Sequence, residues 1–458
     1  MKTIVFITLT FFMASTSLAT NIQKKAPSFL DDSISIDIKL RHQTTTWEEY
    51  HPERGFFQKA YRDRSDPTFM ITNEDNSFQF GIGGTIRTTA SYDFQGAVNH
   101  KRFVTWNIPI PTNYAESFGL NLASSSLYCK TKIKLGKENM IGFLSFETND
   151  ENNITLSQAY ISYGGFSVGQ TYSFFMDLAA GIENVDLRGP NTQINKTHPL
   201  IGYTHIINDR FLVAAACESP ELNLFDWSEI GIWDENQSFP DFTARTTYIG
   251  DFGHLQLSGI FRTLKYWSED KNIARSPYTD KGNTQKRFGW GTALSGRINF
   301  TPKFFMSFQG IYGKGIQEYI QDYGSTCSDL IPKPNIDKIT GNKYFNMQTL
   351  PIWGGYLGLQ YNFSPKFTFS TVYGRINMDT PLVKDAKGLS NDILNIIDYK
   401  RSAYLAINAF YHINNYCTLG LAYLNGKRLQ RQRENYILNG KEKYGHANRF
   451  DLMFSYSF

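Results

Sequence analysis

The chain has 458 residues, with 46 Lys and Arg against 42 Asp and Glu, a formal net charge of +4. That balance, without a basic cluster interleaved with aromatics, argues against a nucleic-acid partner. Four widely separated cysteines (Cys129, Cys217, Cys327 and Cys417) match no metal spacing, and the eight histidines are scattered, so neither a metal nor another cofactor is expected.

The first residues, MKTIVFITLTFFMASTSLA, read as a secretory signal: Lys2, an apolar run from Ile4 to Ala14, then small Ser17 and Ala19, with the cut expected after Ala19. No later apolar run is long enough for a spanning helix, so a membrane would be crossed with strands. An aromatic content of 15%, with 36 Gly and only 16 Pro, suits many strands joined by tight turns. Residues 20–76 differ in pattern from the rest of the chain. Ile34, Ile36, Ile38 and Leu40 alternate like one strand among charged stretches, as in a periplasmic arm or a plug segment in the bore.

From residue 77 to 458 the dominant signal is a period of two in segments of about ten residues, the length of a tilted membrane-spanning strand. In the first, Phe80, Ile82, Ile86, Ala90 and Tyr92 share the outward face while Gln79, Thr85, Arg87, Thr89 and Ser91 share the inward one. The stretch 127–135 sets Cys129, Ile133 and Leu135 outside and Lys130, Lys132 and Lys134 inside. In 288–300, Trp290, Leu294 and Ile298 oppose Ser295, Arg297 and Asn299; in 353–363, Leu357, Leu359, Tyr361 and Phe363 oppose Tyr356, Gln360 and Asn362. The last strand, 450–458, is the cleanest: Phe450, Leu452, Phe454, Tyr456 and the final Phe458 lie on one face. A terminal aromatic on such a strand resembles the assembly signal of outer-membrane barrels.

Short turns at 136–139, 164–165, 208–209, 250–253, 301–303, 364–366 and 414–415 alternate with longer polar stretches at 94–126, 219–240, 267–286, 316–350, 377–398 and 426–444. This asymmetry predicts an all-β, transmembrane antiparallel barrel of 16 strands, with short periplasmic turns, long extracellular loops and a water-filled bore. The turns NFTPKF (299–304) and NFSPKF (362–367) are near copies of one another.

Residues 160–205 run YISYGGFSVGQTYSFFMDLAAGIENVDLRGPNTQINKTHPLIGYTH. This stretch resembles the DcaP-like trimeric porins, through Val168, Gly169, Gln170, Thr171, Met176, Asp177, Gly189, Pro190, Asn191, Pro199, Tyr203, Thr204 and His205. The resemblance implies homotrimers of sixteen-stranded barrels that favour anionic, often dicarboxylic, solutes. Two departures stand out: residues 20–76 lack the heptads of the family's N-terminal coiled coil, and Gly202 stands where a basic residue is expected before Tyr203-Thr204-His205.

The loop after the fifth strand, 173–196, is expected to fold into the bore as a constriction carrying Asp177, Glu183 and Asp186, with Arg188 at the narrowest point. Facing it, alternation turns Arg87, Lys130, Lys132, Arg245, Arg262 and Arg297 toward the water, with fewer inward acids, chiefly Asp93 and Glu147. Fixed cations along a confined path concentrate anions, and Arg can grip a carboxylate with two hydrogen bonds. Such charges also pair with loop carboxylates in any barrel. His198 and His205 have no close acidic partner in the sequence. There is no GxSxG element and no matched Ser, His and acid grouping, so an enzyme is not expected. The expected function is an outer-membrane porin for passive diffusion of small hydrophilic solutes, preferring anions such as dicarboxylates. The alternatives are an unselective porin, or a secreted soluble β-rich binding or adhesion protein, which would leave the terminal Phe and the turn-loop asymmetry unexplained.

Overall fold

The computed structural model describes residues 37–38 and 69–458, apart from 74, 97–101, 137, 150–151, 187–188, 225–231, 235, 269–283, 324–327, 337–342, 385 and 388–390. One antiparallel sheet of twenty segments closes on itself. Four of these are short or supplementary (Asp37–Ile38, Phe69–Thr72, Ser117–Asn121 and Ile232–Asp234), leaving the 16 wall strands that alternation predicts.

In chain order the wall strands are β1 (Phe78–Gln95), β2 (Ser126–Leu135), β3 (Glu138–Thr148), β4 (Ile154–Tyr163), β5 (Phe166–Tyr172), β6 (Thr197–Asn208), β7 (Phe211–Glu218) and β8 (Asp241–Gly250). They continue with β9 (Gly253–Ser268), β10 (Thr284–Thr301), β11 (Phe304–Lys314), β12 (Pro351–Ser364), β13 (Phe367–Met378), β14 (Tyr399–His412), β15 (Cys417–Glu434) and β16 (Ile437–Ser457). Each pairs with its chain neighbour, and β16 pairs with β1 from Asn448↔Gln95 to Ser457↔Thr85. Among the described residues the closed wall has no free edge, the condition for crossing lipid on strands.

The terminal Phe458 continues that seam. Its N–H donates to the Gly84 carbonyl and its own carbonyl accepts from the Gly84 N–H, both at 2.9 Å. A Cβ on Gly84 would lie 2.7 Å from the Phe458 ring, so this glycine is what lets the last ring lie on the first strand. Where β16 ends, Phe69–Thr72 takes over pairing with β1, from Phe69↔Ile82 to Thr72↔Gln79. The alternating run at 34–40 is described only at Asp37–Ile38, which pairs with Thr72 and Ile71; its remainder lies outside the described residues.

The seven short turns fall where expected, and four share one device. The side-chain oxygens of Asn208, Thr301, Ser364 and Asn414 each accept from the backbone N–H groups two and three residues on. This explains why NFTPKF and NFSPKF look alike: a hydroxyl precedes a proline whose ring presets the turn. Outward threonines also satisfy themselves, Thr131, Thr246, Thr292 and Thr371 each donating to a carbonyl of the adjacent strand. Aromatic pairs ring both ends of the lipid face, among them Phe367–Tyr411 (4.9 Å) near the turns and Phe94–Phe450 (5.2 Å) toward the loops. Cys129, Cys217 and Cys417 are free thiols in strands; Cys327 lies outside the described residues.

Two loop assignments need correction. The stretch 426–444 is no loop but the upper part of the β15–β16 hairpin, turning at Asn435 and Tyr436, both with positive φ. Likewise β1 runs on to Gln95 and pairs with Ser117–Asn121, inside what reads as loop 94–126. Above the hydrocarbon band both faces of a strand meet polar surroundings, so the hydrophobic period that reveals the lower parts fades there.

Candidate functional site

The loop 173–196, here L3, turns into the barrel and spends its polar groups on inward side chains of the wall. At its start the Glu218 carboxylate on β7 accepts from the Ser173 hydroxyl (3.1 Å) and the Phe174 N–H (2.8 Å). The other Glu218 oxygen meets His198 Nε2 at 2.7 Å, so the fold supplies the acidic partner that the sequence around His198 does not. Gln256 and Arg245 donate to the Met176 carbonyl, and Ser258 donates to that of Phe175.

Asp177 meets His254 Nε2 at 2.9 Å, accepts from Ser295 Oγ at 2.7 Å, and caps the short turn Leu178–Ala180 through the N–H groups of Ala179 and Ala180. Burial alone would raise its carboxyl, but the neighbouring His254 and these hydrogen bonds hold it below the usual carboxylate range. Further along, Tyr356 donates to the Ala180 carbonyl, Gln360 holds both the backbone and the carboxylate of Glu183, Asn408 accepts from the Val185 N–H, and Tyr404 donates to Asp186. The descending limb ends on Asn191, whose amide donates to Thr105 and Ser402, and on Thr192, whose carbonyl accepts from Gln309.

Inward glycines make room for side chains of this loop. A Cβ at Gly358 would lie 2.6 Å from Ile182, one at Gly420 2.8 Å from Val185, and one at Gly374 2.7 Å from Asn191. At Gly202 a Cβ would lie 2.6 Å from the Phe174 ring, so the basic residue expected there has no room. The segment 160–205 that carries the family resemblance is therefore largely the hardware that docks L3.

Other loops join it. Trp106 packs between Tyr323 and Tyr399, with ring centroids 5.4 and 4.3 Å away, and a buried cluster gathers Trp106, Phe175, Ile194, Ile316, Tyr319 and Ile397. The bore beside β8–β15 is thus packed as a protein interior.

The expected pore residues separate into groups. Arg262 is 1% exposed, its Nε 2.9 Å from Asp241 and its Nη1 3.0 Å from Asp329, so it ties loops to the wall. Arg245 is 7% exposed and lies 4.4 Å over the Phe174 ring; Arg87, 8% exposed, donates to the Val185 carbonyl. Arg297 is half-buried over Phe305, near the turns. Lys130 and Lys132 are half-exposed on the inward face of β2, beside Tyr128 and across from Phe143. Arg188 lies outside the described residues. Of the constriction acids, Asp177 and Asp186 are buried anchors and Glu183 is partly exposed.

Sequence reasoning missed Glu218, His254, Tyr404 and the glycine notches. The signal available was parity, since all of them fall on inward positions of their strands. A depression of about 500 Å³ lined by Tyr203, Val213, Ala215, Ala244, Arg245 and Leu257 opens on the outer wall. Among the described residues no helix is long and apolar enough to cross a membrane, and no group of His, Cys, Asp and Glu could hold a metal.

A closed sixteen-stranded barrel with a loop folded into its bore defines an outer-membrane channel and not an enzyme. The porin subfamily model matches residues 123–389, more than half of the chain, and the chain belongs to that subfamily. Its fold is similar to the outer-membrane channel DcaP of Acinetobacter baumannii, at 19% identity and a TM-score of 0.63, covering 84% of this chain and 99% of that one. Weaker likenesses are to a loop L8 deletion mutant of OmpT, an outer-membrane protein of Vibrio cholerae (9% identity, 83% and 100% covered, TM-score 0.49), and to an anion-selective porin from Comamonas acidovorans (10%, 83% and 100%, TM-score 0.48). A search of the curated proteins gives no match.

Proposed function

We propose that this porin passes small hydrophilic solutes by passive diffusion with a preference for anions such as dicarboxylates, and that it works as a homotrimer. The observation that carries the reading is the division of the bore. L3 is docked on β7–β15 and on Arg87 of β1, while β2 presents Lys130 and Lys132, half-exposed, from the remaining wall. Two adjacent fixed cations beside a confined aqueous path raise the local concentration of anions. Glu147, an inward acid on β3, lies higher on that wall, opposite Ser126. Asp177 and Asp186, which would otherwise oppose anions at the constriction, spend their charge on His254, Ser295 and Tyr404.

Planar-bilayer recordings test the preference: a dicarboxylate such as succinate should carry current and transiently block chloride current from either side. Equal conductance for matched cationic and anionic solutes would favour the unselective porin instead. Light scattering of the purified protein in detergent tests the trimer, and a mass of one chain per micelle would contradict it.

A further inference from the structure

The lipid-facing wall carries a cationic patch that neither the pore nor its loops use. Arg375 on β13 is directly opposite Ala403 on β14, Ala403 is opposite Lys427 on β15, and Lys427 is opposite His446 on β16. Arg375 and Lys427 are exposed on the outward parity of their strands, with Tyr373 and Leu421 below them. One outward step above Ala403 stands Arg401. Three long cations therefore surround one small side chain, Arg375 and Lys427 standing two strand spacings, about 10 Å, apart across it. Among the described residues neither Arg375 nor Lys427 has a hydrogen-bond or ion-pair partner on its side chain. The acids at this end of β13 and β16, Asp379 and Glu442, lie further toward the loops; Glu442 is hydrogen-bonded by Lys400 and also feels the charge of Arg401, the uppermost of the three cations.

The height of the patch is informative. Phe367, in the aromatic ring near the turns, and Arg375 are eight residues apart on β13, about 20 Å along the barrel axis for a tilted strand. That places the cations at the upper edge of the apolar band. Just beneath them the Asn425 amide donates to Asn448 (2.7 Å), the Tyr423 hydroxyl donates to the same oxygen (2.8 Å), and Tyr423 packs on Phe450 (5.4 Å). Below lie Leu405, Ile407, Leu421 and Leu452. Outward cations directly above a Tyr and amide layer, facing lipid, complement a headgroup phosphate, and Arg can hold phosphate with two parallel hydrogen bonds.

We propose that Arg375, Arg401 and Lys427 bind a phosphate group of an outer-leaflet glycolipid whose acyl chains lie on the apolar surface below. The full-length protein, purified in mild detergent from outer membranes, is examined by native mass spectrometry beside the variant Arg375→Gln/Arg401→Gln/Lys427→Gln. The control is Lys265→Gln/Lys286→Gln, which removes outward cations of β9 and β10. Delipidated protein is also titrated with lipid A bearing its phosphates, with the same lipid after phosphatase treatment, and with inorganic phosphate as competitor.

Retained phosphorylated lipid A should fall about tenfold in the triple variant, equivalent to about 1.4 kcal/mol, and stay unchanged in the control. Binding should be lost with the dephosphorylated lipid and resist inorganic phosphate. Unchanged retention in the triple variant would overturn the proposal, as would equal binding of the dephosphorylated lipid or displacement by inorganic phosphate. A loss of oligomer with lipid retained would assign the patch to a second copy of the chain and overturn it too. Faster gel migration of unboiled protein reports that the barrel has formed. Should the triple variant fail that check, Lys427→Gln alone is scored by the same comparison.

Discussion

Arg449 on the last strand closes on Asp93 of the first with two parallel hydrogen bonds, Nε to Oδ1 at 2.8 Å and Nη2 to Oδ2 at 2.9 Å. Both side chains are buried inside the barrel, and the guanidinium also lies 5.4 Å over Phe103 of the first extracellular loop. The pair therefore joins the seam where the sheet closes to the loop packed within it. Removing one partner leaves a buried charge uncompensated, a loss of about 3–5 kcal/mol in such pairs. Arg449→Met should lower the temperature at which the fast-migrating unboiled form disappears. Asp93→Asn/Arg449→Met together should recover part of that loss.

The Gly358 notch offers a test with an unusual sign. In an ordinary strand Gly→Val is stabilising, because valine suits a pleated surface. Here a side chain at 358 would collide with Ile182, so Gly358→Val should destabilise by about 1–3 kcal/mol, the typical cost of overpacking. Ile182→Ala in the same chain should restore the room and recover stability. Urea unfolding followed by tryptophan fluorescence reads both.

Asp177 and His254 fix the upstream limb of L3. His254→Ala leaves the buried Asp177 carboxylate with Ser295 and two backbone N–H groups, so the limb should loosen without the barrel opening. Single-channel conductance should rise and current noise increase, with gel migration unchanged. Conductance equal to that of the wild type would show that the clamp does not govern the constriction.

The pH response should come from the sixth extracellular loop. Burial pushes the Glu318 and Asp322 carboxyls up to about 7 each; Lys196 opposes the shift at Glu318, and hydrogen bonds from Thr105 oppose it at Asp322. The folded loop then binds more protons than the unfolded chain between the ordinary carboxylate range and about pH 7. The stability that protonation contributes is complete below that ordinary range and is lost as pH rises through about 7. Hydrogen exchange of residues 316–323, corrected for its intrinsic base catalysis, should accelerate as pH rises from the ordinary carboxylate range to about 7, and Asp322→Asn should weaken the dependence.

How much of this was legible in the residues depends on what alternation can encode. Period two located the sixteen strands and turned Arg87, Lys130, Arg245, Arg262 and Arg297 inward, and the length of 173–196 marked the loop that enters. It carried no information on partners. Arg262 looks like a pore cation until the fold brings Asp241 and Asp329, from distant segments, to its guanidinium. The glycines were equally silent, because Gly358 and Gly420 matter only through what Ile182 and Val185 do opposite them. The upper β15–β16 hairpin was lost for a different reason: residues such as Lys427 and Asn448 stand at headgroup level, above the hydrocarbon that imposes an apolar face.

The zero-current potential across a KCl gradient tests most directly whether the open part of the bore runs along β2. The wild type should show a potential of the sign set by chloride, and Lys130→Glu/Lys132→Glu should move it toward the potassium value, while Arg262→Gln should alter stability more than selectivity. A potassium-set potential in the wild type, or one that the two lysine substitutions leave unmoved, would contradict this account.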